Sequence, residues 1–151
     1  MSILKNIVTD IKKELKLKKS IIPISEYEKM SLFERNTISM TNSIKKDSFG
    51  IIAEFKRRSP SKNEINNNLS VNEVCKNYQI FGASGLSVLT NLKYFGGSLE
   101  DLVLARSISS LPILRKDFII DEYQIYESKA FGADIILPVS YTHLTLPTKQ
   151  M

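Results

Sequence analysis

The 151-residue chain has one cysteine, Cys75, and one histidine, His143. A single cysteine excludes an internal disulfide, and with it the small secreted scaffolds that depend on one; a reducing, cytoplasmic setting fits. Cys75 falls in a helical pattern, where a cysteine behaves as a small buried apolar group. One histidine with no cysteine pair cannot build a zinc site, so no metal is expected. Glycine is sparse, at 6 residues, and none of them makes a Gly-rich nucleotide loop; no cofactor is expected either. No apolar run approaches the ~20 residues of a membrane-spanning helix. The N-terminus has no secretory pattern, because lysines interrupt its apolar positions.

What remains is the composition of a soluble globular domain, 42% hydrophobic and 25% charged, with enough chain for a real core. The formal charge is +5. Nucleic-acid binding would need a basic stripe interleaved with aromatics. The lysines are instead scattered, which reads as a solvated surface, with a local excess near an anionic substrate as the second reading. Neither a nucleic-acid nor a membrane partner is expected.

Along the chain, Leu4, Ile7, Val8, Ile11 and Leu15 recur at helical spacing over residues 3–17, with lysines on the opposite face. A second helix is expected near Ser25, after Pro23. Residues 34–49 read as helix plus linker. From Gly50 the period changes, with strand candidates at 50–55, 84–90, 111–117 and 133–137. Helix candidates separate them. Ser70 with Glu73 forms a capping-box pattern, followed by an apolar stripe of Val71, Val74, Cys75, Tyr78 and Phe81 that Gly82 ends. Ser98 with Asp101 opens the next helix. Asp121 with Gln124 opens the third, which closes at Gly132. Alternating strands and helices imply parallel βαβ units with right-handed crossovers. All strand C-termini then share one face.

The stretch from Gly50 to Ser61 organises this layout. It starts as a buried strand and turns abruptly polar. Glu54 and Lys56 are two positions apart and point to one side of an extended chain. A carboxylate and an ammonium at the end of a buried strand are costly unless they pair or meet a charged ligand. Parallel topology brings Glu54, Lys56, Thr90, Lys116 and Asp117 to one rim, at or just beyond strand ends. Sites in α/β barrels form on that rim. The loop from Arg57 to Leu69 is long for a βα connection and reads as a binding or lid segment.

Three motifs carry a resemblance: Ile51-Ile52-Ala53-Glu54-Phe55-Lys56-Arg57-Arg58-Ser59-Pro60-Ser61; Gly85 to Thr90 followed by Lys93-Tyr94-Phe95-Gly96-Gly97-Ser98-Leu99; and Leu111-Pro112-Ile113-Leu114-Arg115-Lys116-Asp117-Phe118-Ile119-Ile120. In this order they resemble indole-3-glycerol-phosphate synthase, from near Met1 to about Leu137. The resemblance implies an α/β fold: the first four strands of a TIM (β/α)8 barrel, residues 50–137, behind an N-terminal helical extension, residues 1–49, that packs across the barrel mouth. A whole barrel needs about 250 residues, so the chain reads as an N-terminal half. Residues 138–151 depart from the family, with no helical stripe and two prolines; they read as foreign sequence joined to a truncated frame, and His143 within them carries no expected role.

The reaction implied is ring closure, decarboxylation and dehydration of 1-(2-carboxyphenylamino)-1-deoxyribulose 5-phosphate, a step of tryptophan biosynthesis. The family's pattern makes Lys116 the general acid and Lys56 the contact to the substrate carboxylate, with Glu54 orienting both lysines. It gives Ser59 loop and substrate hydrogen bonds, and Phe95, Phe118 and Leu137 the walls of the ring pocket. Each also has a plainer reading: a surface lysine for Lys116, a structural ion pair for Lys56 and Glu54, turn chemistry for Ser59, and core packing for Phe95, Phe118 and Leu137. The family's second catalytic glutamate and its phosphate-binding residues lie on later strands, so the chain by itself is expected to be inactive. The open sheet edges of a half barrel invite self-association. Two rivals stay open. One is a related phosphate-binding barrel such as phosphoribosylanthranilate isomerase, against which the E-x-K and L-R-K-D-F pairing argues. The other is a basic binding module.

Overall fold

The structure, a computed structural model, describes residues 2–139. Ser2 accepts a hydrogen bond from the Lys5 amide and caps α1 (Ile3–Ile21). The helix runs four residues past the expected end at residue 17. Lys18 and Lys19 in its last turn suit the negative end of the helix dipole, and each finds a distant acid, Glu127 and Asp121. Pro23 precedes α2 (Ile24–Glu28), as expected. The ambiguous stretch contains α3 (Met40–Lys46), capped by Ser39.

Four strands follow, with helices between them in sequence: β1 (Ile52–Phe55), α4 (Val71–Ile80), β2 (Gly85–Leu89), α5 (Leu92–Phe95), α6 (Leu99–Ile108), β3 (Ile113–Ile119), α7 (Glu122–Ala130) and β4 (Ile135–Pro138). All pairings are parallel, in the order β1-β2-β3-β4. This is the α/β arrangement expected, with the first four strands of a barrel. The capping boxes at Ser70 with Glu73 and at Asp121 with Gln124 are both formed. Gly82 and Gly132 follow α4 and α7 at φ of 93° and 99°, the left-handed turn that only glycine takes cheaply. Sequence reasoning passed over α5, a single turn capped by Asn91 and ended by Gly96 at φ 67°.

The sheet divides the chain into two apolar clusters. Phe55, Leu86, Val88 and Ile113 turn their side chains to the helix layer and pack with Cys75 and Leu102; Cys75 is fully buried, as expected. Phe81 does not join its stripe and is 86% exposed. It lies one residue past the end of α4, at φ −87° and ψ 10°, so it no longer follows the helical phase that would carry it inward. A second cluster packs Ile7, Ile11, Leu15 and Tyr27 of the N-terminal helices against Tyr123 and Ala130 of α7. At the opposite end of the strands α3 closes the base. Ser43 Oγ donates to Ser84 O (2.5 Å), and a Cβ on Gly85 would sit 2.3 Å from Met40 Sδ.

Among the described residues, β1 and β4 each pair with one strand only. Ile52 of β1 is 43% exposed and Leu137 of β4 56%. Pro138 still belongs to β4, and the Val139 amide donates to Ile119 O (3.0 Å). Residues 140–151, with His143 and most of the anomalous tail, lie outside the described residues.

Candidate active site

The C-terminal ends of the strands collect the charged residues on one rim. Glu54 is the penultimate residue of β1, and Lys56 directly follows the strand. Phe55 between them faces the helices, so both charged side chains face the other way. Lys116 pairs in register with Leu89, the last residue of β2. It therefore reaches the rim although β3 continues to Ile119. The expectation that Lys116 and Asp117 fall at or beyond the end of their strand is corrected here: they lie within β3. The strand runs on because it pairs irregularly with β4, the register shifting between Arg115 and Ile119.

Glu54 holds the two lysines together. Its Oε1 is 2.8 Å from Lys116 Nζ and its Oε2 is 3.3 Å from Lys56 Nζ. Ser87 Oγ of β2 adds a long hydrogen bond to Oε1 (3.4 Å). Partial burial pushes the Glu54 carboxyl up, but Lys116 and then Lys56 outweigh it and hold the group below its ordinary value. The carboxylate is therefore ionised across the neutral range. The group has the charge sequence ammonium, carboxylate, ammonium, and about half of the Lys116 side chain (45%) is open to solvent.

Beside Lys116 lies a cleft of about 360 Å³, lined by Leu4, Leu89, Phe95, Phe118 and Leu137 among others. It brings Lys116 together with the three apolar residues expected from the sequence. The Phe95 and Phe118 rings face each other at 6.3 Å between centroids, tilted by 31°. A planar aromatic group would meet apolar side chains in this cleft with an ammonium at its edge. The sequence pattern did not mark four of its lining residues: Pro138 and Val139, which read in sequence as part of a foreign tail, and Leu89 and Leu4. Leu89 is the last residue of β2, and its position there is a signal that was available. Leu4 comes from α1, more than a hundred residues away from Phe118, and no local pattern marks it.

Ser59 stands apart. Its backbone exchanges hydrogen bonds with Lys62 (2.8 and 3.1 Å), and its hydroxyl is 3.2 Å from that of Ser61. It does not line the cleft. The loop that holds it is tied down at its start. Arg57 pairs with Asp101 at the start of α6 and donates to Gly96 O (3.0 Å), while Arg58 donates to Leu92 O (2.7 Å). Both arginines are thus engaged with the β2–α6 connection. Among the described residues no group of three or more His, Cys, Asp or Glu side chains converges to hold a metal ion. Nor is any described helix long and apolar enough to cross a membrane.

A sequence model of the indole-3-glycerol phosphate synthase family matches residues 4–143. The chain belongs to that family. It is 44% identical over 138 residues to the indole-3-glycerol phosphate synthase of Bacteroides thetaiotaomicron, an alignment covering 91% of this chain and 53% of that protein. The enzyme of the same name from Leptospira interrogans is 47% identical over 116 residues, 75% of this chain and 46% of the relative. That from Desulfosudis oleivorans reaches 52% over 88 residues, 58% of this chain and 34% of the relative. The chain spans about half the length of the curated relatives it matches.

Proposed function

We propose that Glu54, Lys56 and Lys116 are the β1–β3 part of the active site of an indole-3-glycerol phosphate synthase, acting on 1-(2-carboxyphenylamino)-1-deoxyribulose 5-phosphate in the cytoplasm. The observation that carries this is one ionised carboxylate pairing two lysines, of which Lys116 lines an apolar, aromatic-walled cleft. The chemistry asks for those groups. A ring carbon attacks the ribulose carbonyl carbon and forms a C–C bond. Lys116, as an ammonium, gives its proton to the carbonyl oxygen as that bond forms. Carbon dioxide then leaves, its bonding pair returning to the ring system, and water follows. Lys56 faces the substrate carboxylate, and Glu54 orients both ammonium groups. Phe95, Phe118 and Leu137 clasp the benzene ring. Ser59 hydrogen-bonds the substrate when its loop turns inward on binding. The reaction needs no metal or organic cofactor.

Self-association belongs to the same reading. The outer edges of β1 and β4, which no strand covers among the described residues and beside which Ile52 and Leu137 are exposed, offer backbone donors and acceptors to another chain.

The test is a chimaera in which residues 1–137 are joined to the remaining half of the Bacteroides thetaiotaomicron relative. Formation of indoleglycerol phosphate is followed by fluorescence. Product from the chimaera supports the reading. A folded, monomeric chimaera that makes none overturns it.

A further inference from the structure

Glu127 does not touch the cleft, and no sequence motif marks it. It lies in the middle of α7 and is fully buried, where a glutamate is almost never found without partners. It has three, from three elements. Oε2 accepts hydrogen bonds from Lys18 Nζ of α1 (3.1 Å) and Tyr27 Oη of α2 (2.9 Å). Oε1 lies 2.9 Å from Arg115 Nη1 of β3, an ion pair set off the hydrogen-bond direction. Burial alone pushes the carboxyl up; Arg115 first, then Lys18 and Tyr27, outweigh it and hold the group below its ordinary value.

From Arg115 the contacts run on to the cleft. Its Nε donates to Thr90 Oγ1 (2.9 Å), Thr90 Oγ1 donates to Asp117 Oδ2 (2.7 Å), and Asp117 Oδ1 accepts the Phe118 amide (2.8 Å). Asp117 and Phe118 line the cleft and directly follow Lys116. In the other direction, Lys18 belongs to the helix whose Leu4 forms a cleft wall. At ~1.5 Å of rise per residue the two positions are about 21 Å apart along a stiff rod. A second tie, from Asp10 to Lys93 and to Tyr94 Oη (both 2.6 Å), holds α1 nearer its middle. Lys19 keeps its own tie to Asp121 (2.6 Å) at the same end, so loss of the Glu127 tie loosens the C-terminal end of α1 about Asp10 without detaching it.

We propose that Glu127 is a positioning residue: one buried carboxylate sets both the Lys116-bearing end of β3 and the tilt of the helix whose Leu4 walls the cleft. The proposal rests on reading that cleft as the synthase site. Packing alone does not require the charge, because a whole buried ionic cluster can often be exchanged for apolar groups of equal volume without loss of stability, although removing one member by itself is costly. What the carboxylate supplies is a fixed arrangement of three elements.

The test uses the 151-residue chain with 13C-labelled lysine, the Lys116 signal being assigned through Lys116→Arg. Glu127→Gln keeps the shape and removes the charge. It should shift the Lys116 side-chain and Phe118 amide signals and speed amide exchange in α1 by at least about tenfold. Glu127→Asp should restore part of both. Tyr27→Phe removes one donor, and should give a smaller shift in the same direction; it serves if Glu127→Gln does not fold. Asp134→Asn, a buried carboxylate at the other end of the strands, is the structural control: it should lower stability and leave both signals in place. Glu127→Gln that lowers stability without moving Lys116 or Phe118 overturns the proposal, as does Asp134→Asn moving them equally. None of these outcomes depends on turnover, so the synthase reading stands or falls separately.

Discussion

Asp134→Asn should be among the most damaging single substitutions outside the cleft. Its side chain is inaccessible to solvent and accepts from four donors. Arg35 Nη1 (2.6 Å) and the Ile38 amide (2.9 Å) meet Oδ1; Arg106 Nη1 (2.7 Å) and the Ile113 amide (2.8 Å) meet Oδ2. One carboxylate thus joins the linker before α3, helix α6, and the starts of β3 and β4. Asparagine retains one acceptor, and its NH2 group faces two donors. Arg106 keeps the carbonyls of Ser109 and Leu111 (2.6 and 2.7 Å) but loses its counter-charge. Burial already holds Arg106 below its ordinary value, and Arg35 nearby adds to that. Breaking a buried pair from one side costs about 3–5 kcal/mol. Domains have only about 5–15 kcal/mol in all. The expected result is a loss of about 3–5 kcal/mol in urea unfolding followed by circular dichroism, with Tm lower by roughly 10–20 °C. A loss under about 1 kcal/mol would refute the reasoning, since it would mean that water or rearrangement replaces the carboxylate at little cost.

Three further outcomes are expected. Glu127 has a folded-state pKa below its ordinary value of 4.5, so the stability it contributes is complete above that value and is lost as pH falls through the folded one. Unfolding free energy should drop steeply below pH 4.5 in the parent chain and less steeply in Glu127→Gln, as measured by urea titrations at stepped pH. Phe118→Ala in the chimaera should raise KM more than it lowers kcat, because the ring contact is made before and during reaction; an unchanged KM would remove Phe118 from the ring site. The 151-residue chain alone should make no product, and should elute from a sizing column above its 17.1 kDa mass. A stable monomer that turns over substrate would contradict both.

Much of the sheet and of the charged rim was legible because both obey local rules. Periodicity located the four strands to within two residues, and Ser70-Glu73 and Asp121-Gln124 announced their helices. Glu54 and Lys56 were readable as a pair because strand geometry alone puts them on one side. Where reading failed, the deciding contacts were distant in sequence. Arg115 sits in L-R-K-D beside Lys116; strand alternation puts the two on opposite faces, but nothing local says which is buried against α7 and which opens to the rim. Glu127 and Asp134 look like any helix-face and loop acids, yet their partners are about a hundred residues away in Lys18, Tyr27 and Arg35. Phe81 fails for the opposite reason: its stripe was real, but the helix stopped one residue early. Leu4 joins the cleft only because α1 packs across the rim.

The central claim is that Lys116 supplies the proton as the ring closes. It is tested most directly by kcat and KM of Lys116→Ala in the chimaera, beside Lys56→Ala. General acid catalysis is typically worth about 10²–10⁴-fold, expressed mainly in the transition state. Lys116→Ala should therefore lower kcat by that factor with KM changed by less than about threefold, whereas Lys56→Ala should impair both. A Lys116→Ala enzyme with kcat within about twofold of its parent would contradict the account.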